Sequence, residues 1–162
     1  MRRIVVAVVA LACLACGAVG EDRIGPFLTG MTSLGDKSGG AVGGGIKYEW
    51  LSGKNVGLDL HAGYLNDGTI GLIPLEFGPV ILFPLESVAW TLGAGGLYAI
   101  PIEGEADAAL GLYAAAGIRG PISPNMEWLA EAQYVYVKGE EKSGGNLDFS
   151  GAGLSVGILW IF

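Results

Sequence analysis

Eight polar side chains interrupt the apolar segments of this chain: Lys47, Glu49, Asp59, His61, Glu76, Arg119, Glu131 and Gln133. Asp59, His61 and Glu76 are the residue types from which an acid/base cluster is made, and a histidine among carboxylates is also part of a metal-ligand set. A metal centre takes three or four ligands at defined spacing, however, and one histidine with scattered acids does not supply that pattern, so neither metal nor cofactor is expected. Nucleophilic catalysis needs a serine beside a histidine with an acidic orienter. The chain has a single histidine, and Ser33, Ser38 and Ser143 have no second one to activate them, so no enzyme is expected. Gly43-Gly44-Gly45 lacks the Lys-Ser/Thr of a phosphate loop and opens no helix. The run Glu140-Glu141 reads as a solvated loop rather than a cation site. The remaining chemistry is mutual: these groups neutralise one another inside a narrow enclosure.

The segments that carry them have a period of two. In 56–65, Val56, Leu58, Leu60, Ala62 and Tyr64 share one face, with Gly57, Asp59, His61 and Gly63 on the other. In 127–137, Trp128, Ala130, Ala132, Tyr134 and Tyr136 oppose Glu131 and Gln133. Eight such strands are expected, at about 24–34, 41–51, 56–65, 69–83, 88–100, 108–119, 127–137 and 149–162. Pro74 and Pro79 each remove a ladder donor, so the fourth strand is expected to bulge or end early. Asn66-Asp67-Gly68-Thr69 reads as a two-residue type I′ hairpin.

That hairpin, with the turn at 52–55, sets an expected register. Lys47 opposite Asp59 pairs unlike charges, whereas a two-residue shift puts Glu49 opposite Asp59, so the first is preferred. Glu76 then falls opposite Asp59, and two carboxylates around one ammonium imply that one of them is partly protonated.

Composition bounds the class. The chain is 51% hydrophobic with a mean hydropathy of +0.50, yet past residue 20 it has no apolar run of about 18 residues that would make a spanning helix. The amino terminus reads as a secretory signal peptide over 1–20: Met1-Arg2-Arg3, an apolar core from Ile4 to Cys16, and Ala18-Val19-Gly20 as the cleavage site. Processing as a lipoprotein at Cys16 is the alternative. Cleavage after Gly20 removes both cysteines and leaves 7 basic against 16 acidic side chains over 21–162, a net charge of −9 in place of −7. Such a charge argues against nucleic acid as a partner.

The last segment alternates Ala152, Leu154, Val156, Ile158, Trp160 and Phe162 with mostly small residues. It resembles the closing strand of a bacterial outer-membrane barrel, and the whole pattern resembles the small eight-stranded family typified by OmpX and the OmpA membrane domain. That resemblance implies an all-β, closed, antiparallel up-and-down transmembrane barrel, placed in the outer membrane of a Gram-negative-type bacterium. It makes Phe162, Trp160 and Ile158 a signal read by the barrel-assembly machinery, with periplasmic chaperones as transient partners, outer-membrane lipids as the surroundings and a monomer as the working form. With the family's orientation, Trp50, Trp90, Trp128 and Trp160 form a periplasmic interface belt, and Tyr64, Tyr98, Tyr134 and Tyr136 an outer one. Tyr48 and Tyr113 are exceptions, the first in the lower belt and the second facing inward. The outer joins carry the loop acids Glu103, Glu105, Asp107, Glu140 and Glu141. The function this implies is structural, contributing to envelope integrity, with a lumen filled by the eight polar residues. Two alternatives stand beside it. One is binding or passage of a small hydrophobic molecule through an upper lumen lined by Gly43, Gly45, Gly63, Gly95, Gly111 and Gly153; the other is a lipid-modifying enzyme.

Overall fold

The chain, seen in a computed structural model, is described over residues 20–33, 39–53, 55–68, 71–102, 107–140 and 146–162. Residues 1–19, on which the expected signal peptide falls, and Glu103, Glu105, Glu141, Ser38, Ser143 and Thr69 lie outside the described residues, as do the side chains of Ser33 and Glu140.

Alternation between apolar and small or polar residues produces the strands β1 (Glu21–Ser33), β2 (Gly40–Ser52), β3 (Val56–Asn66), β4 (Gly71–Pro84), β5 (Ala89–Pro101), β6 (Ala109–Ser123), β7 (Met126–Glu140), β8 (Asn146–Asp148) and β9 (Gly151–Ile161). Strands β1 to β7 and β9 pair antiparallel with their neighbours, and β9 pairs with both β7 and β1, so the sheet closes into an eight-stranded barrel. Closure removes the free edges that an open sheet would leave unpaired. β8 pairs only with the end of β7, Lys138 facing Asp148, and forms a short ribbon beyond the barrel. The last strand begins at Gly151, two residues later than expected: Phe149 and Ser150 separate it from β8, and the Val137 amide donates to Ser150 Oγ at 3.1 Å in place of a ladder partner.

β4 neither bulges nor ends early. It runs to Pro84 with one constant register against each neighbour, and each proline interrupts only one ladder, Pro74 that toward β3 and Pro79 that toward β5. In an antiparallel strand each backbone amide points to one neighbour only, so a missing donor costs one side. The register shifts instead between Pro121 and Ser123 of β6.

Outward positions carry Ile24, Leu28, Leu60, Phe77, Ile81, Leu112, Leu154 and Val156, all exposed. Trp50, Trp90, Trp128 and Trp160 are in outward phase near the end that bears the turns 53–55, 85–88 and 124–125. Tyr64, Tyr98, Tyr134 and Tyr136 are outward on the other half. Tyr48 lies with the tryptophans and donates to Asp22 Oδ1 at 2.7 Å, and Tyr113 is buried inside.

The interior is layered. Leu51, Val80 and Leu82 cluster at the short-turn end, with Leu129 and Leu159 also buried. Leu97, Ala99, Ala109, Tyr113, Ala115, Val135 and Val137 form a second cluster toward the other end, with Met31, Leu72 and Phe149 packed against it. Between the two lies a charged layer.

Candidate functional site: the buried charge network

Each of the eight polar residues singled out by phase points inward. Lys47, Glu49, Asp59, His61, Glu76, Arg119 and Glu131 are buried, and Gln133 is half-buried.

Their register differs from expectation. Lys47 faces His61, Glu49 faces Asp59, and Glu76 faces His61 rather than Asp59. One cause is the β3–β4 turn: Asn66 pairs with Gly71, so the join has four residues rather than two. Of the described residues of this join, Gly68 takes a left-handed φ, +89°, and Asp67 does not; the Gly68 amide donates to Asn66 Oδ1 at 2.6 Å, whereas a type I′ turn needs positive φ at two successive residues. The other cause is that a two-strand argument omits the far wall. Glu49 opposite Asp59 is tolerable because the Arg119 guanidinium crosses from β6 and donates to both Glu49 oxygens, at 2.6 and 2.7 Å. Lys47 still reaches Asp59, diagonally, at 2.7 Å.

Lys47 is the hub. Its Nζ lies 2.7 Å from Asp59, 3.2 Å from Glu131, 3.3 Å from Glu49 and 2.6 Å from His61 Nε2. His61 in turn sits 3.1 Å from Asp59 through Nε2 and 3.0 Å from Glu76 through Nδ1. Four strands, β2, β3, β4 and β7, thus meet at one ammonium and one imidazole. An ionic group so deeply buried is tolerated only when it is paired and hydrogen-bonded on several sides.

Two members escaped the sequence reading. Arg23 is buried, with Nε 3.1 Å from Glu127 Oε2, and Glu127 also lies 3.6 Å from Arg119, which extends the network toward the short-turn end. Thr91 is a further buried polar group. Starting the first strand at Glu21 rather than Ile24 would have put Arg23 inside by phase.

The glycines expected to line an open upper lumen have a different reason to be there. A Cβ on Gly43, Gly45 or Gly95 would lie 1.8, 2.2 or 2.1 Å from a carbonyl oxygen of the adjacent strand, and Gly63, Gly111 and Gly153 face backbone oxygens at 3.1, 2.5 and 3.1 Å. They mark close strand approach in a tightly coiled sheet.

Among the described residues, no group of three or more His, Cys, Asp or Glu side chains is arranged to hold a metal ion. Both ring nitrogens of His61 face carboxylates, and the Lys47 ammonium lies 2.6 Å from Nε2.

A closed eight-stranded antiparallel barrel with an apolar exterior and a charged interior defines the class: it has the architecture of the small outer-membrane barrels. Neisserial surface protein A shares the fold with a TM-score of 0.68 and 17% identity, over 88% of this chain and 96% of that one. Ail, the attachment invasion locus protein of Yersinia pestis, does so at 0.59 and 18%, over 88% and 99%. A transmembrane β-barrel designed de novo is similar at 0.56 and 16%, over 87% and 95%. At these identities the likeness establishes the fold, and the match to a designed barrel underlines that it does not carry an activity. No family model and no curated protein matches the chain.

Proposed function

We propose that this protein is an integral barrel of the outer membrane of a Gram-negative-type bacterium with a structural, envelope-supporting role, its lumen closed to ions by the buried charge network. The observation that carries the reading is the bidentate Arg119–Glu49 pair, which with Lys47 ties opposite walls of the barrel together at full burial. The apolar layer of Leu51, Val80 and Leu82 beneath it supports the same reading, since ions do not cross a dry hydrophobic constriction. The surroundings are outer-membrane lipids, the working form is a monomer, and the barrel-assembly machinery and periplasmic chaperones are partners during insertion. A lipid-modifying reading gains nothing from His61, which is engaged inside rather than at the lipid face.

The envelope role predicts that cells lacking the protein admit more of a large antibiotic or dye that the outer membrane normally holds out. Re-expression of the full chain is expected to restore the barrier. An unaltered barrier in the deletion strain overturns the envelope role.

A further inference from the structure

The lipid-facing wall of the barrel is not uniformly bulky. On β2, β3 and β4 the outward positions carry Val42, Ile46, Leu60, Leu75 and Phe77, whereas β6, β7, β9 and β1 present Ala114, Ala116, Ala132, Ala152 and Gly30, all exposed. Register brings these small residues together: Ala116 faces Ala132, Ala132 faces Leu154, and Leu154 faces Gly30. They floor an open groove of about 980 Å³ across this wall, with Leu92, Leu154 and Tyr134 along its sides.

One cation accompanies the groove. Among the described residues Lys138 is the only exposed basic side chain, since Arg23, Lys47 and Arg119 are all buried in the lumen. It stands on the same outward face of β7 as Ala132, Tyr134 and Tyr136. Its ammonium lies over the Tyr136 ring, 5.4 Å from the centroid, and is thereby turned toward the membrane. Asp148, which faces it across the short ribbon, accepts instead from the Ser150 amide at 2.8 Å. From Ala132 to Lys138 the strand advances about 20 Å, which at a tilt of about 40° is about 15 Å of membrane depth. That is half of a hydrocarbon core about 30 Å thick, the depth of one leaflet.

We infer that this wall holds one phosphate-bearing lipid of the leaflet on the tyrosine side, the outer leaflet when the short turns face the periplasm: an acyl chain lies in the groove and the phosphate meets Lys138. The groove is continuous with the rest of the lipid-facing surface and opens only to the bilayer. Water finds no polar partners on a floor of alanines, so hydrocarbon fills it. An exposed ammonium at headgroup level attracts an anionic phosphate more strongly than a zwitterion. The inference rests on the barrel standing among outer-membrane lipids and does not depend on the closed lumen.

The test uses the refolded chain in nonionic detergent, titrated with dimyristoylphosphatidic acid or dimyristoylphosphatidylcholine, which share their chains and differ in headgroup charge. Native mass spectrometry reads the lipid bound per barrel. One phosphatidic acid is expected to be retained, with an affinity about fivefold above that of phosphatidylcholine. Lys138→Gln is expected to remove this preference and leave both lipids at the phosphatidylcholine level. Ala116→Leu combined with Ala132→Leu fills the groove at exposed positions and is expected to lower retention of both lipids several-fold. Lys138→Gln, on an exposed side chain, keeps the test decisive should the double variant refold poorly. Equal retention of the two lipids by the wild type overturns the inference; so does a preference that survives Lys138→Gln, retention unchanged by the filled groove, or a second copy of the chain bound in place of lipid. Such failure leaves the closed-lumen and envelope readings standing, because conductance and barrier are measured separately.

Discussion

Arg119 and Glu49 form a two-pronged pair with both side chains essentially inaccessible, the most confined ion pair among the described residues. Arg119→Met leaves Glu49 with Lys47 alone and is expected to cost about 3–5 kcal/mol, the usual penalty for stranding a buried charge. Urea unfolding of the refolded barrel reads it as a lowered midpoint, and a midpoint within error of wild type would contradict the assignment. Combining it with Glu49→Met is expected to recover much of the loss, because two apolar side chains leave no orphan charge. At this scale, which residues face inward was legible, since phase along a strand depends only on alternation. Their partners were not: Lys47 bonds diagonally, Glu49 is neutralised from β6, and neither fact is visible to an argument about two adjacent strands. Arg23 was missed because Pro26 and Gly30 occupy outward positions of β1, and its alternation is faint there.

The strands themselves were legible from their period, with ends that moved by a few residues. Expectations at turns and prolines fared worse, because turn length and ladder satisfaction depend on the neighbouring strand. Thus Pro79 sits in an unbroken strand, and the Asp67-Gly68 turn belongs to a longer join. Glycines divide in the same way, by what lies across from them. A methyl on Gly45 would meet Ala62 O at 2.2 Å and Gly63 Cα at 2.5 Å, backbone atoms that cannot step aside. Gly45→Ala is therefore expected to destabilise by about 1–3 kcal/mol, as overpacking does. A methyl on Gly30 meets nothing within 4 Å, and Gly30 has no positive φ. Gly30→Ala is expected to be neutral or to gain about 0.4–1 kcal/mol through the unfolded chain. Thermal loss of the compact band in gel mobility compares the two; equal effects would show that strand approach is not what selects glycine at Gly45.

For the whole molecule, the two aromatic groups and the sorting of charge to the inside were present in the sequence, because a barrel wall repeats one simple rule on every strand, and closure was implied by the resemblance to eight-stranded barrels. The height at which the interior closes was not, since it depends on side chains from opposite walls meeting across the lumen. Layering is the property that matters here: leucines and a valine at the short-turn end, ion pairs in the middle, a second apolar cluster around Leu97 and Val135 above. On the proposed reading, a barrel built in this way holds its shape and passes no ions. Planar-bilayer recording of the purified full chain tests this most directly. The account predicts a trace indistinguishable from the bare membrane across applied voltages, with Arg119→Ala, which removes the crossing guanidinium, giving discrete openings. Stable, ohmic conductance from the wild-type barrel would contradict it.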